Sequence, residues 1–180
     1  MKYKLLLLIL IPIIGMGSSE VDTGHAKVSL VKSTENLITS ESFIGIKFDL
    51  NSGWHTYWKN PGDSGGPLEV KWDLPSNLEL GLINWPAPHL IPYPPLMTYG
   101  YDEEVIFPYK VLNYENTGSD SSIKVSIDFL ICADVCIPEK AIIKTSLNAI
   151  EFDNNLAKIQ SDIPSTTLPV EATLNKKTLE

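Results

Sequence analysis

Residues 121–132 read SSIKVSIDFLIC and carry the clearest structural signal in the chain. Apolar side chains occupy every second position, and the polar Lys124, Ser126 and Asp128 lie between them. Because successive side chains of a β-strand point to opposite faces, this alternation predicts a strand with one buried face. The residues expected on that buried face are Ile123, Val125, Ile127, Phe129 and Ile131.

The same period of two recurs elsewhere in the chain. Alternation is clear in PLEVKWDL (67–74) and ESFIGIKFDL (41–50), and weaker in AKVSLV, LELGLINW, EVIFPYKVLNY and AIIKTSLNAI. Turn-forming residues separate these segments, for example Asn51-Ser52-Gly53 and the glycine-rich stretch 60–67. About seven short strands joined by such turns predict an all-β fold, an immunoglobulin-like antiparallel β-sandwich.

The two ends of the chain differ from its middle. Lysines in the first four residues, an aliphatic run at 5–14 and small residues up to Ser19 predict a secretory signal peptide at 1–19. The run is shorter than the roughly 20 residues of a membrane-spanning helix, and no second long apolar segment follows, so after cleavage we expect no membrane span and a location outside the cytoplasm. We expect an immunoglobulin-like domain at 20–150, then a short helix and a flexible tail at 151–180.

The charge of the chain narrows the choice of partners. The net charge is −8, and all 14 basic residues are lysine. Nucleic acids and anionic lipids bind clusters of basic side chains, and the guanidinium of arginine suits phosphate best. We therefore predict that the protein does not bind nucleic acid.

The string GDSGGP at 62–67 has the letters that surround the nucleophilic serine of trypsin-like proteases. Such a serine needs a histidine to take its proton and a carboxylate to orient that histidine. His25 is too close to the start of the chain, His55 too close before Ser64, and His89 follows the serine. We predict that the protein is not a serine protease.

A turn explains the same letters. The glycines of residues 60–67 permit positive φ, two prolines bracket them, and Asp63 and Ser64 have side chains that can cap a turn. The stretch WPAPHLIPYPPLMTYGY at 85–101 is the other irregular segment. Proline removes a hydrogen-bond donor from a sheet, so we expect a stiff aromatic loop there and not a central strand. This loop has a functional role or simply covers the core.

The two cysteines, Cys132 and Cys136, lie in LICADVCIPE, between the best strand and another predicted one. Three intervening residues suit a tight hairpin, which would bring the Cα atoms within the roughly 4.4–6.8 Å that a disulfide needs. A disulfide that closes so short a loop adds little stability to the protein. This favours an exchange-active disulfide over a structural one. A structural disulfide and a zinc or copper site with His55 or His89 remain alternatives.

Three strings, in this order, resemble a known family: GWHTYWKNPGDSGGP, INWPAPHLIPYPPLMTYGY and LICADVCIPE. They are similar to the N-terminal periplasmic domain of the thiol:disulfide interchange protein DsbD, and most similar to its ScsB-like branch. The resemblance covers residues 53–147 and implies an immunoglobulin-like fold that exchanges disulfides without a cofactor. It also implies that NPGDSG is a loop.

The resemblance implies roles for individual residues. Cys136 would form the mixed disulfide with a partner, and Cys132 would resolve it. Tyr57 would lie near the two cysteines. An aromatic cap loop would shield the pair, and its residues here are Met97, Thr98, Tyr99, Gly100 and Tyr101.

The resemblance also implies partners. A thioredoxin-like domain or protein would donate electrons, and a periplasmic disulfide protein would accept them, such as a disulfide isomerase or a cytochrome maturation protein. The ScsB-like branch is associated with copper tolerance. A non-catalytic β-sandwich interaction module with a structural disulfide is the alternative function, and copper or zinc handling through Met97, His89 and the thiols is a third. We expect Tyr99 or Tyr101 to cover the sulfurs if the pair exchanges disulfides.

Overall fold

The computed structural model describes residues 18–117 and 121–162. The expected signal peptide, apart from its last two residues, and the tail after residue 162 lie outside the described residues. No helix in the described ranges is long and apolar enough to cross a membrane.

Within these ranges the chain is almost entirely β-structure, as the sequence predicts. The strands are β1 (Glu20–Asp22), β2 (Ala26–Lys32), β3 (Phe43–Leu50), β4 (Thr56–Gly62), β5 (Glu69–Asp73), β6 (Leu78–Ile83), β7 (His89–Tyr93), β8 (Leu96–Tyr101), β9 (Glu104–Tyr114), β10 (Ser122–Cys132), β11 (Cys136–Ser146) and β12 (Glu151–Phe152). A short 3-10 helix, Leu147–Ala149, follows β11, and one α-helix, α1 (Asn154–Asp162), follows β12.

The strands form three sheets. The first has the order β1-β2-β3-β9-β6, with β12 also paired to β2; the second has the order β11-β10-β5, and the third β4-β8-β7. All of these pairings are antiparallel except that of β12 with β2. This arrangement is consistent with the immunoglobulin-like sandwich of the prediction.

The core lies between the first two sheets. Phe48 of β3 packs edge-on against Phe129 of β10, with ring centroids 5.0 Å apart, and against Phe107 of β9. The alternation read in residues 121–132 is confirmed, since every residue of its apolar face is buried, namely Ile123, Val125, Ile127, Phe129 and Ile131. This face fixes the orientation of β10, and with it the position of the cysteines at its end.

A second, smaller cluster joins helix α1 to the outer face of the first sheet. Leu156 is completely buried and packs with Val31, Phe43 and Ile106. The start of the helix is fixed by Asp153, whose Oδ1 accepts hydrogen bonds from the backbone N–H groups of residues 155 and 156. The helix therefore packs on the sandwich.

Lys47 links the helix start to the sheet. Its Nζ lies 2.7 Å from a carboxylate oxygen of Glu104 and 3.3 Å from one of Asp153. Burial alone would lower the pKa of Lys47, but the hydrogen bonds to these two carboxylates raise it above its ordinary value. The lysine therefore stays charged and holds β3, β9 and the start of α1 together.

The expectation of a loop at 85–101 holds for residues 85–88 and is wrong for the rest. Residues 89–101 form the hairpin β7–β8, with a cis peptide bond between Pro94 and Pro95 at its turn. Proline is tolerated here because β7, which contains Pro92, is an edge strand, while the central strand β8 contains no proline. The predicted turn at 60–67 also begins later than expected, because β4 continues to Gly62 after an irregularity in its pairing with β8.

We expect Leu156→Ala to lower the free energy of unfolding by about 2–5 kcal/mol, because it leaves a cavity under α1. Leu82→Ala is the matched control, since Leu82 is 89% exposed and the same atoms are removed from the surface. Urea unfolding of the two variants measures the difference. Equal losses would show that the helix does not contribute to the folded domain.

Candidate functional site

The two cysteines form a disulfide at the tip of the β10–β11 hairpin. Cys132 and Cys136 are directly opposite each other, and their sulfurs are bonded. Their Cα atoms are 4.1 Å apart, slightly closer than the expected range. Cys132 exchanges both of its backbone hydrogen bonds with His55, at 2.9 Å each. The two cysteines are therefore a pair without mutual backbone hydrogen bonds, which is the narrow type of antiparallel pair.

The two sulfur-bearing residues differ in exposure. Cys132 is 1% exposed, whereas Cys136 is exposed to solvent. A thiolate from another protein can therefore approach Cys136 but not Cys132. The difference follows from the fold, because Cys132 ends β10, the central strand of its sheet, and is paired with both Cys136 and His55, while Cys136 begins β11, an edge strand.

Tyr57 holds the buried sulfur. Its ring is buried and its hydroxyl donates a hydrogen bond to Cys132 Sγ at 2.8 Å, while Cys136 Sγ lies 3.4 Å from the same oxygen. Tyr57 follows His55 by two residues along the chain, and His55 is the residue paired with Cys132. The position implied for Tyr57 by the resemblance, next to the cysteines, is the one that the structure shows.

The glycine-rich segment after β4 supports Tyr57. Gly65 has a φ of +84°, and a Cβ atom on it would lie 2.2 Å from the Tyr57 ring. Only glycine fits this close approach. Positive φ is also found at Gly62, as expected for this segment.

The polar residues of this segment bind β8. Asp63 accepts a hydrogen bond from the backbone N–H of Met97 at 2.9 Å, and the hydroxyl of Ser64 shares one with Thr98 at 2.8 Å. The expectation that these two side chains cap their own turn is wrong, because β8 passes within reach and offers partners. Asp63 and Ser64 of the GDSGGP string thus hold this segment against β8, and Gly65 lets it lie against Tyr57.

A cavity of about 90 Å³ lies beside the disulfide. Its walls include Tyr57, His55 and Ser64, and the hairpin β7–β8 contributes Leu96 and Thr98. The segment expected to cap the cysteines is therefore close to them. Thr98 is its buried contact, while Met97, the next residue along the strand, is exposed.

The tyrosine cover expected of an exchange-active pair is not present, so the exchange hypothesis loses that support. Neither Tyr99 nor Tyr101 is among the described residues that line the cavity. Tyr101 packs edge-on against Phe107 in the core and donates a hydrogen bond to the carbonyl oxygen of Pro86. Burial raises the pKa of Tyr101, so it stays a neutral donor. Tyr99 is partly exposed, and Gly100 contacts the backbone of Thr56.

Comparison with known proteins agrees with this geometry. The model of the family described as thiol:disulfide interchange protein DsbD, N-terminal, matches residues 27–147, most of the chain. The chain belongs to this family. A comparison with curated proteins gave no match.

Two solved structures are similar to this DsbD N-terminal-type domain. One is the N-terminal periplasmic domain of ScsB from Proteus mirabilis, with 27% sequence identity and a TM-score of 0.55. That match covers 76% of this chain and 54% of the ScsB chain, so this chain spans about half of its relative. The other is the reduced DsbD N-terminal domain of Neisseria meningitidis, with 15% identity and a TM-score of 0.42, covering 65% and 83% of the two chains.

His55, which the sequence suggested only as a protease histidine or a metal ligand, is a residue of the disulfide site. In this DsbD-type domain its Nε2 lies 3.3 Å from the Tyr57 hydroxyl, and the two rings pack edge-on. Burial lowers the pKa of His55, and the charge of Asp102 opposes this to a smaller extent. The sequence feature that could have revealed this contact is the string His55-Thr56-Tyr57, because residues two apart in a strand lie on the same face.

The residues considered for a metal have other partners in this DsbD-type domain. Both thiols form the disulfide, and His89 lies 2.9 Å from a carboxylate oxygen of Asp102. In the part of the chain that the structure describes, no group of three or more His, Cys, Asp and Glu side chains is arranged to hold a metal ion.

We expect Gly65→Ala to destabilise the oxidised protein by about 1–3 kcal/mol more than Gly53→Ala, because the new methyl group must displace the Tyr57 ring. Gly53 is a matched control: its φ of +83° gives the same backbone strain, but a Cβ atom there meets nothing within 4 Å. Urea unfolding measures both. Equal losses would contradict the view that Gly65 supports Tyr57.

Proposed function

We propose that this protein is a periplasmic thiol–disulfide exchange domain that passes reducing equivalents through Cys132 and Cys136 by way of mixed disulfides with thioredoxin-like partners. The observation that carries this proposal is the asymmetry of the disulfide. Cys136 is an exposed residue, whereas Cys132 is buried and its sulfur accepts a hydrogen bond from Tyr57.

The chemistry follows from that asymmetry. The thiolate of a reduced partner attacks Cys136 Sγ, a mixed disulfide forms, and the bond between the two cysteines breaks. The electron pair of the broken bond goes to Cys132 Sγ, where the Tyr57 hydroxyl stabilises the charge. The second thiol of the partner, as its thiolate, then attacks the partner's own sulfur and releases Cys136. Two electrons and two protons have entered the domain, and the reverse sequence delivers them to an acceptor.

The surrounding structure favours exchange over a purely structural disulfide. The cysteines are only four positions apart, so their bond closes a very short loop and restricts the unfolded chain little. Strands β10 and β11 are already paired along their whole length, from Ser122 opposite Ser146 to the cysteines themselves. A disulfide at the end of such a ladder adds little to stability, whereas the exposed residue Cys136 is well placed for exchange.

The partners follow from the family. We propose a thioredoxin-like domain or protein as electron donor and a periplasmic disulfide protein as acceptor, with Thr98, the residue of the cap segment 97–101 that lines the cavity beside the pair, limiting access to it. Cytochrome maturation and copper tolerance are the processes in which such an acceptor would work. The similarity to a periplasmic ScsB domain supports the periplasmic location.

We expect the Cys132→Ser variant, in which Cys136 is the only thiol, to form a mixed disulfide with a thioredoxin. The thioredoxin used is a variant that retains only its attacking cysteine, and this cysteine carries a thionitrobenzoate group. Release of the coloured thiol measures the rate. Cys136→Ser is the matched control and should react at least about tenfold more slowly, since a thiol must be accessible to exchange.

Other results would overturn parts of the proposal. A faster reaction of Cys136→Ser would reverse the roles of the two cysteines. If neither variant forms the mixed disulfide, although the thiol of each reacts with a small disulfide reagent after unfolding, exchange with thioredoxin-like proteins would be contradicted. That result would favour an interaction module with a structural disulfide.

A further inference from the structure

We propose that His55 is a positioning residue that takes up and returns the proton of Cys132 through the Tyr57 hydroxyl. This inference rests on the proposed exchange function and adds to it the route by which the buried sulfur gains and loses its proton. Three groups form the route in sequence: the sulfur of Cys132, the phenol of Tyr57 and the imidazole of His55.

The distances connect these groups directly. Cys132 Sγ lies 2.8 Å from the Tyr57 hydroxyl oxygen, and that oxygen lies 3.3 Å from His55 Nε2. The backbone keeps the three together, because His55 and Cys132 exchange two backbone hydrogen bonds of 2.9 Å. A hydroxyl is both a donor and an acceptor, so Tyr57 can pass a proton either way.

Burial makes such a route necessary. Cys132 and Tyr57 are each 1% exposed, so a proton leaving the buried sulfur does not pass straight into bulk water. His55 lines the cavity of about 90 Å³ whose walls include Cys132 and Cys136, and it also lines an open cleft of about 710 Å³. Its imidazole therefore stands between the buried sulfur and solvent.

The step balances in both directions. When the domain is reduced, a partner thiolate bonds to Cys136 Sγ and the leaving Cys132 thiolate takes the proton of Tyr57, which takes one from protonated His55. When the domain gives up electrons, Cys132 loses its proton to Tyr57 as it attacks Cys136 Sγ and displaces the partner. Tyr57 passes a proton to neutral His55, and the imidazolium releases it to solvent in the cleft.

The charges around His55 determine its state. Asp102, at the end of β8, raises the pKa of His55, but burial lowers it by more, and Asp102 also pairs with His89. Asp134 of the cysteine hairpin lines both the cavity and the cleft with His55. The other carboxylates of the cleft belong to Asp49, Glu103 and Glu104. With its pKa below the ordinary 6.5, His55 is neutral near neutral pH and becomes a proton donor in acid.

The test measures the rate at which dithiothreitol reduces the folded, oxidised protein. The rate is measured at a series of pH values between about 5 and about 8, the range in which histidine titrates. The rate is divided by the concentration of dithiothreitol thiolate at each pH. We expect this rate constant to rise about tenfold as the pH falls through the pKa of His55, because the imidazolium supplies the proton for the leaving sulfur. His55→Gln, which keeps a hydrogen-bonding side chain but does not titrate, should give a flat profile.

Two further variants make the result specific. Tyr57→Phe interrupts the route and should also flatten the profile, and thermal unfolding confirms that each variant is folded. His89→Gln is the matched control: it removes a histidine that pairs with Asp102 outside the cavity, and the rise should remain.

The outcomes separate the relay from the exchange function. The relay would be overturned if the wild type and His55→Gln gave the same pH profile. It would also be overturned if His89→Gln flattened the profile as much as His55→Gln does. If the rise depends on His55 but the thioredoxin adduct of the preceding section does not form, the relay stands and the proposed partner class fails.

Discussion

The hydrogen bond from the Tyr57 hydroxyl to Cys132 Sγ is the interaction on which the site depends. It requires a buried phenol beside a buried sulfur, and three parts of the fold supply this. Strand β10 ends at Cys132, β4 presents Tyr57 two residues beyond its contact with Cys132, and Gly65 leaves room for the ring. The same burial leaves Cys136 as the sulfur that another protein can reach.

Local patterns in the sequence predicted much of the fold. The alternation at 121–132 gave β10 and its buried face, and the spacing of Cys132 and Cys136 gave the hairpin and its disulfide. Both depend on residues close together in the chain, where the period of a strand and the length of a turn are decisive. The sequence also pointed to Tyr57, through the resemblance of its surrounding string.

The parts that the sequence did not predict depend on contacts between distant residues. Proline content argued against strands at 85–101, but whether proline is tolerated depends on which strand lies at the edge, and only the pairing with β4 decides that. Tyr101 was expected over the sulfurs and packs against Phe107 in the core. His55 was considered only as a protease or metal residue, because Cys132, which makes it part of the site, meets it only through strand pairing.

If Cys132 and Cys136 form an exchange-active couple, the reduction potential of that couple is the property to measure first. The purified protein is equilibrated in glutathione or dithiothreitol buffers of known potential, and the reduced fraction is counted from free thiols. Structural disulfides of secreted proteins have potentials below about −300 mV. We expect a value well above this limit, whereas a value below it would argue against exchange and assign the disulfide to stability alone.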